Sequence, residues 1–572
     1  MCIRDSPLIG QVCLPLAGTN NLARTKLPLQ EIIGINAGYE IEHFTKANNF
    51  PLEEVGDLCT MIRFFYQQDK DYDGIPPKDI RLGDKTEAEL IANAPPGYLW
   101  DNYVRIKKIK EAGLKVAVAI EISVRNFPDK WWKKEELGNS TMEIQATGKD
   151  WAYAFLKVYD PKRANGTFTD SQPIVDILEL GNEPWGDPGL SAYQAYIHGI
   201  LLAFDAYYGS NKPRIGIAGA AYQAHELKGS TYGNGHLRDA VETIIGGSKQ
   251  AKLRSQITEG IGVHNYNFSD YRKLDVQTIQ QHPEATNGGF HIFRNVSAWV
   301  KQHMPIGNRK VNATEFGWNS DDEPGHIFEC YKANQWGGCQ EANFSNTIAL
   351  SMPGCNYNYG TNECGKAVKV GIGRTAQAAY IIRSILLLHS WGANQAVIYN
   401  LMDDWTNGAY YSNGLVDTNV PANISELKTM QIRPKEKKEA WHALSRMNYL
   451  LGNQYFLGAY GSTQDNGLYV HIYGDANGQA KNMVAWHAVD LHKMNYGKKN
   501  MRNSSANITV IENQVVPINV RQLGCPSTIQ IDPTGRSTYL DGRSPGYSRP
   551  TLEVYRKGQL WVSPIPIVIP LK

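Results

Sequence analysis

"LELGNEPWGD", Leu178 to Asp187, is an apolar run that breaks at Gly181, Asn182, Glu183 and Pro184 and resumes on Trp185. Its first half reads as a buried strand. A buried strand that ends on a carboxylate held between an amide and a proline asks for a fold in which strand ends open onto a pocket.

Working outward, seven more short apolar runs share that character: "EIIGINAG" from Glu31, "MIRFFY" from Met61, "LKVAVAIEI" from Leu114, "RIGIAGAAY" from Arg214, "GIGVHNY" from Gly260, "KVNATEFGW" from Lys310 and "QAVIYNLMDD" from Gln395. Helical patterns fall between them, such as "DNYVRIKKIKEAG" before the third run and "RTAQAAYIIRSILLLHSWG" before the eighth. Strands alternating with helices predict a parallel α/β sheet, and eight of them predict a closed (β/α)8 TIM barrel. "KEAWHALSRMNYLLG", Lys438 to Gly452, is its last helix. From residue 453 the period changes: "GLYVHIYG", "KNMVAWHAVD", "ANITVIEN" and "LEVYRKGQLWVS" are short, alternating and punctuated by Gly, Asn and Pro, which predicts a smaller all-β sandwich. The expected domains are therefore an N-terminal segment 1–24, a catalytic barrel 25–452 and a sandwich 453–572. The first six residues, "MCIRDS", resemble a translated sequencing adapter and are left out of fold reasoning, with the expectation that an authentic start and its signal peptide are missing.

A net charge of +2 in 572 residues gives no electrostatic reason to expect nucleic acid or a membrane as partner. No run approaches the roughly 20 apolar residues of a membrane-spanning helix. The 13 Trp and 31 Tyr exceed what a core needs, and flat amphipathic rings suit sugar-binding clefts. Cys330, Cys339, Cys355 and Cys364 crowd the long loop after the seventh strand without zinc-site spacing, so the choice is between two disulfides, which favour an oxidising compartment, and four free thiols. In "DKDYDG", Asp69, Asp71 and Asp73 fit the first half of a calcium loop, but Ile80 stands where the bidentate Glu belongs; the alternative is a solvated acidic loop. No other metal cluster, phosphate loop or serine-hydrolase elbow appears.

In a barrel, residues at the C-terminal strand ends face the active-site mouth. Glu183 ends the fourth strand and Glu315, in "VNATEFGWN", ends the seventh. Two carboxylates across a barrel mouth are the equipment of a retaining glycosidase. "GNEPW" and "TEFGW" resemble the acid/base and nucleophile motifs of the clan A glycoside hydrolases, and the resemblance covers the barrel. It implies that Glu183 is the general acid/base and Glu315 the nucleophile, that Asn182 binds the sugar 2-hydroxyl, and that Arg63 keeps the nucleophile ionised. It also implies that His264 and Tyr266 orient the nucleophile and line the glycone subsite. A His on an apolar strand is otherwise a core histidine, and Arg63 is otherwise a barrel-mouth ion pair. Trp185 and Trp318, which close the two motifs, and Trp405 join the candidate sugar-binding residues; the clan's Trp at the eighth strand end is replaced here by a stretch with Asn400 and Asp403.

The expected function is thus a retaining hydrolase acting on a polysaccharide or oligosaccharide outside the cytoplasm (secreted, periplasmic or at the cell surface), with no cofactor unless calcium binds at Asp69, Asp71 and Asp73. "SVRNFPDKWWKKEE", Ser123 to Glu136, sets Trp131 and Trp132 among Arg125, Lys130, Lys133 and Lys134, a mixture that suits sulfate or carboxylate groups beside sugar rings. Sulfated galactans, cleaved internally, are the substrate this favours. The alternatives are an exo-acting β-glycosidase, an endo-hydrolase of neutral glucan, xylan or mannan, and an inactive carbohydrate-binding barrel; the tryptophans can equally seal a helix onto the barrel.

Overall fold

The computed structural model describes residues 25–66, 86, 99–120, 137–163, 165–170, 172–183, 189–223, 256–267, 281–285, 288–303, 310–320, 372–404, 412–419, 433–460, 467–488, 516–519, 531–543, 546–556 and 559–572. The expectations for the calcium loop at Asp69, Asp71 and Asp73, for Arg125, Lys130, Trp131, Trp132, Lys133 and Lys134, for Trp185, for the four clustered cysteines and for Trp405 concern residues outside these.

Each of the eight apolar runs forms strand. They are β1 (Ile33–Ala37), β2 (Met61–Tyr66), β3 (Lys115–Ile120), β4 (Ile177–Glu179), β5 (Gly216–Ala218) with β6 (Ala221–Gln223), β7 (Ile261–His264), β8 (Val311–Phe316) and β9 (Gln395–Ile398). The sheet order is β5-β4-β3-β2-β1-β9-β8-β7-β6, and the pairings recorded within it are parallel. The run from Arg214 makes one stave in two pieces, because only Gly219 and Ala220 separate β5, which pairs with β4, from β6, which pairs with β7. Gly219 N donates to Gly260 O (2.7 Å) and Ala221 N to Gly181 O (2.9 Å), so the ladder continues through the break and nine strands count as eight staves. Burial on both faces explains the near-continuous Ile, Val and Ala of these strands. The fold is a (β/α)8 barrel followed by a β-sandwich.

By compactness the chain divides into two units. One comprises Gly34–Asn265 with Ile292–Glu315. Here α1 (Leu99–Glu111), α2 (Leu137–Tyr159) and α3 (Gly189–Tyr208) cover the sheet. Two glycines notch α2 and α3 together: a Cβ at Gly199 would stand 2.0 Å from Gln145 O, and one at Gly148 would stand 2.3 Å from Tyr196 O. Glycine in a helix interior costs about 1 kcal/mol relative to Ala, which the backbone-to-backbone approach of the two helices offsets.

The other unit comprises Met1–Ile33, Tyr266–His291 and Phe316–Lys572. It holds α5 (Arg374–Ser390), buried along nearly its whole length, and α6 (Glu439–Leu451); α4 (Gly289–His303) begins in it. Beyond α6 follow an antiparallel sheet whose members include β10 (Tyr455–Tyr460), β11 (Leu468–Gly474) and β12 (Ala480–His487), and a smaller three-stranded one. Aromatic and ionic contacts tie the first of these sheets to the barrel elements of the same unit. His389 of α5 stacks on Tyr473 of β11 at 5.8 Å, and Trp486 of β12 donates its indole N–H to Glu284 (2.7 Å), which also takes Arg383 Nε of α5 (2.8 Å).

Candidate active site

Residues from β1, β4, β8 and the chain just beyond β4 converge on one guanidinium, that of Arg63 in β2. Arg63 is fully buried, and each of its five N–H donors meets an oxygen. Nε donates to Glu179 Oε2 (3.0 Å); Nη1 donates to Asn36 Oδ1 (2.8 Å) and Glu315 Oε1 (2.9 Å); Nη2 donates to Glu179 Oε1 (2.5 Å) and Asn182 Oδ1 (2.9 Å). Burial alone would lower the Arg63 pKa, but the Glu179 and Glu315 carboxylates outweigh it and hold the guanidinium above its ordinary range. A permanent cation in contact with Glu315 favours that carboxylate's ionised form. The guanidinium also lies 5.0 Å from the centre of the Phe65 ring.

Strand register accounts for the convergence. Asn36 pairs with Arg63 across β1 and β2, so both side chains fall on the inward face. On the other side, a register shift between Val263 and His264 sets His264 opposite Glu315. His264 Nδ1 lies 2.5 Å from Glu183 Oε1 and 3.4 Å from Glu315 Oε2. Burial pushes the His264 imidazole down to about 4, against the pull of Glu315, so the ring is neutral at neutral pH. One donor atom from each of Glu183, His264 and Glu315 lies within 4.8 Å of the other two. Among the described residues, these three have side-chain atoms close enough together that they could share a metal ion.

The chain beyond β4 is pinned from both neighbours. Asn182 N donates to Ile120 O and Glu183 N to Ala221 O, each at 2.9 Å. Glu183 sits between them with φ of +49°, in the left-handed region that costs a non-glycine residue about 1–2 kcal/mol. The backbone pairs hold it there, and the side chain is thereby aimed at His264.

Of the residues singled out in the sequence, Arg63, Asn182, Glu183, His264 and Glu315 come together. Tyr266 is half-buried, its ring edge-on to Tyr399 at 6.4 Å. Trp318 is a correction: rather than facing a sugar it is 1% exposed, stacked on Phe290 at 5.8 Å, with its indole N–H spent on Gln281 O (3.0 Å). Asp403 is a buried partner of Lys438 (2.6 Å), and burial raises its pKa to about 7. Sequence reading missed Asn36 and Glu179. For Asn36 a signal existed, since a polar side chain inside the otherwise apolar run "EIIGINAG" needs a buried partner; Glu179 carried none, because its inward direction is set by strand pairing.

No family model and no curated protein matches the chain. Among solved structures it is similar to a family 39 glycoside hydrolase from Bacteroides cellulosilyticus at 14% identity, covering 96% of this chain and 82% of that one with a TM-score of 0.49. A family 30 endoxylanase from Clostridium papyrosolvens matches at 11% identity, covering 96% and 99% with a TM-score of 0.42. A family 1 β-glucosidase from Thermotoga maritima matches at 12% identity, covering 75% and 99% with a TM-score of 0.39.

Proposed function

We propose that this protein is a retaining glycoside hydrolase in which Glu315 is the nucleophile and Glu183 the general acid/base. The observation that carries the reading is the spacing of the two carboxylates, whose nearest donor oxygens fall within 4.8 Å. Retaining enzymes hold their carboxyl groups about 5–5.5 Å apart, whereas inverting ones leave about 6.5–9.5 Å for a water. The asymmetry of the pair supports the division of labour: Glu315 has a fixed cation against it, while Glu183 faces a neutral imidazole.

In the first step Glu315 attacks the anomeric carbon as Glu183 protonates the departing glycosidic oxygen. In the second, Glu183 takes a proton from water, whose oxygen displaces Glu315 with net retention. Asn182 accepts from Arg63 through Oδ1, which leaves its N–H donors for a sugar hydroxyl. The substrate we propose is a polysaccharide, with internal cleavage of a sulfated galactan favoured by the cationic, tryptophan-bearing sequence from Ser123 to Glu136. A polymeric substrate also implies work outside the cytoplasm.

The test is a polysaccharide panel that includes sulfated galactans, neutral glucans, xylans and mannans, with product anomers followed by NMR. Retained products from the wild type are expected. Glu315→Ala should lose about 10⁴-fold or more in kcat and recover with azide as an inverted glycosyl azide. Inverted wild-type products would refute the assignment, and activity confined to neutral polymers would refute the substrate.

A further inference from the structure

Arg63 and Glu315 account for two members of a longer chain of contacts, whose next member, Glu179, sits at the end of β4 with 2% of its surface exposed. Both Glu179 oxygens face the Nε–Nη2 edge of Arg63, the paired geometry that fixes a guanidinium in its own plane as well as in position. With that edge held, the remaining N–H groups point one way only: Nη1 to Glu315 and Asn36, Nη2 to Asn182. We propose that Glu179 is a positioning residue of the glycosidase site, holding the Arg63 plane so that a single guanidinium orients both the nucleophile and the residue next to the acid/base. The inference rests on the glycosidase reading above.

Glu179 has a second effect through the same contact. It shares the charge of Arg63, so Glu315 feels less than one full cation. Removing the Glu179 charge while keeping the side chain's size leaves the cation to Glu315 alone, which lowers the pH at which Glu315 protonates and weakens it as a nucleophile. A residue that merely filled space would produce neither change.

The experiment isolates Glu315 by using a leaving group that needs no proton. The 2,4-dinitrophenyl 2-deoxy-2-fluoro-β-D-galactoside, -glucoside and -xyloside react by attack of a Glu315 oxygen on C1. The C1–O bond to the aryl group breaks, 2,4-dinitrophenolate departs with the electron pair, and the glycosyl ester persists. Labelling of the full-length protein is followed by intact mass, the site by peptide mapping, and the rate as a function of pH. Thermal unfolding of each variant accompanies it.

Glu179→Gln is expected to label at least about tenfold more slowly, with the acid limb displaced to lower pH by about one unit. Glu179→Asp, which keeps the charge on a shorter arm, should lose rate but leave the limb where the wild type has it. A folded Glu179→Gln variant with an unmoved limb would overturn the positioning role, and so would equal behaviour of the two variants. If Glu179→Gln does not fold, a displaced limb in Glu179→Asp overturns it instead. Should the wild type neither take a label on Glu315 from these probes nor release sugar from any polymer of the panel, the glycosidase reading itself fails, and the inference with it; release of sugar without a label calls for the same measurement with 2-fluoro glycosides of the oligosaccharide released.

Discussion

Glu284 offers a quantitative test of how the barrel elements and the sandwich of one unit are joined. Its carboxylate is buried and takes Arg383 Nε (2.8 Å), Arg383 Nη2 and Trp486 Nε1 (2.7 Å), with His282 Nδ1 at 3.0 Å. Burial alone would raise its pKa; Arg383 and His282 overcome this and hold the carboxyl well below its usual range. In Glu284→Ala the fully buried Arg383 charge loses its counterion, which costs about 3–5 kcal/mol. The Trp486 N–H loses its acceptor, for about 1–3 kcal/mol more. The sum is a large share of the about 5–15 kcal/mol by which native proteins are stable. Urea unfolding followed by tryptophan fluorescence measures it, and Trp486 itself reports on the site. The double variant Glu284→Leu, Arg383→Met should recover most of the loss, because an apolar pair has no orphaned charge. A single variant that costs under about 1 kcal/mol would refute the reasoning, since it falls below even the penalty for one unsatisfied buried donor.

Two further outcomes follow from burial and backbone contact. His264, His389 and His471 are held by burial near 4, 4 and 3, below the ordinary value of about 6.5. The unfolded chain therefore binds protons that the folded chain refuses; this stability is complete above about pH 6.5 and falls as the pH drops towards 4, by up to about 4 kcal/mol per pH unit if all three contribute. Guanidinium midpoints at pH 7, 6 and 5 measure it, and a flat profile would contradict it. Gly199→Ala places a methyl 2.0 Å from Gln145 O, so α2 and α3 must separate. A thermal-unfolding loss of about 1–3 kcal/mol is expected despite the better helix propensity of Ala, and a stabilised variant would show that the helices yield freely.

The staves were legible because a strand buried on both faces must be written as a short apolar run, as "MIRFFY" and "KVNATEFGW" are. The split of the fifth stave was not, since "RIGIAGAAY" carries no mark of the pause at Gly219 and Ala220. Glu183 and Glu315 could be read from strand ends. Trp318 could not: two residues beyond a strand, a tryptophan reads the same whether it turns to the mouth or into the packing around Phe290 and Tyr380. Glu179 was hidden by its surroundings, for between two leucines it looks like the polar half of an alternating strand. That it faces inward depends on its pairing with Ala119 and Ala218, which only the folded sheet supplies.

The saturation of Arg63 also limits how the site can be altered by design. Lysine, with three donors on one nitrogen, cannot serve Asn36, Glu179, Asn182 and Glu315 together. Changing any of those four strands a buried N–H that no solvent reaches. Libraries that vary these five positions one at a time should therefore return mostly dead clones, and re-engineering this corner of the barrel calls for randomising them as a set while specificity is sought among positions that do not touch the guanidinium.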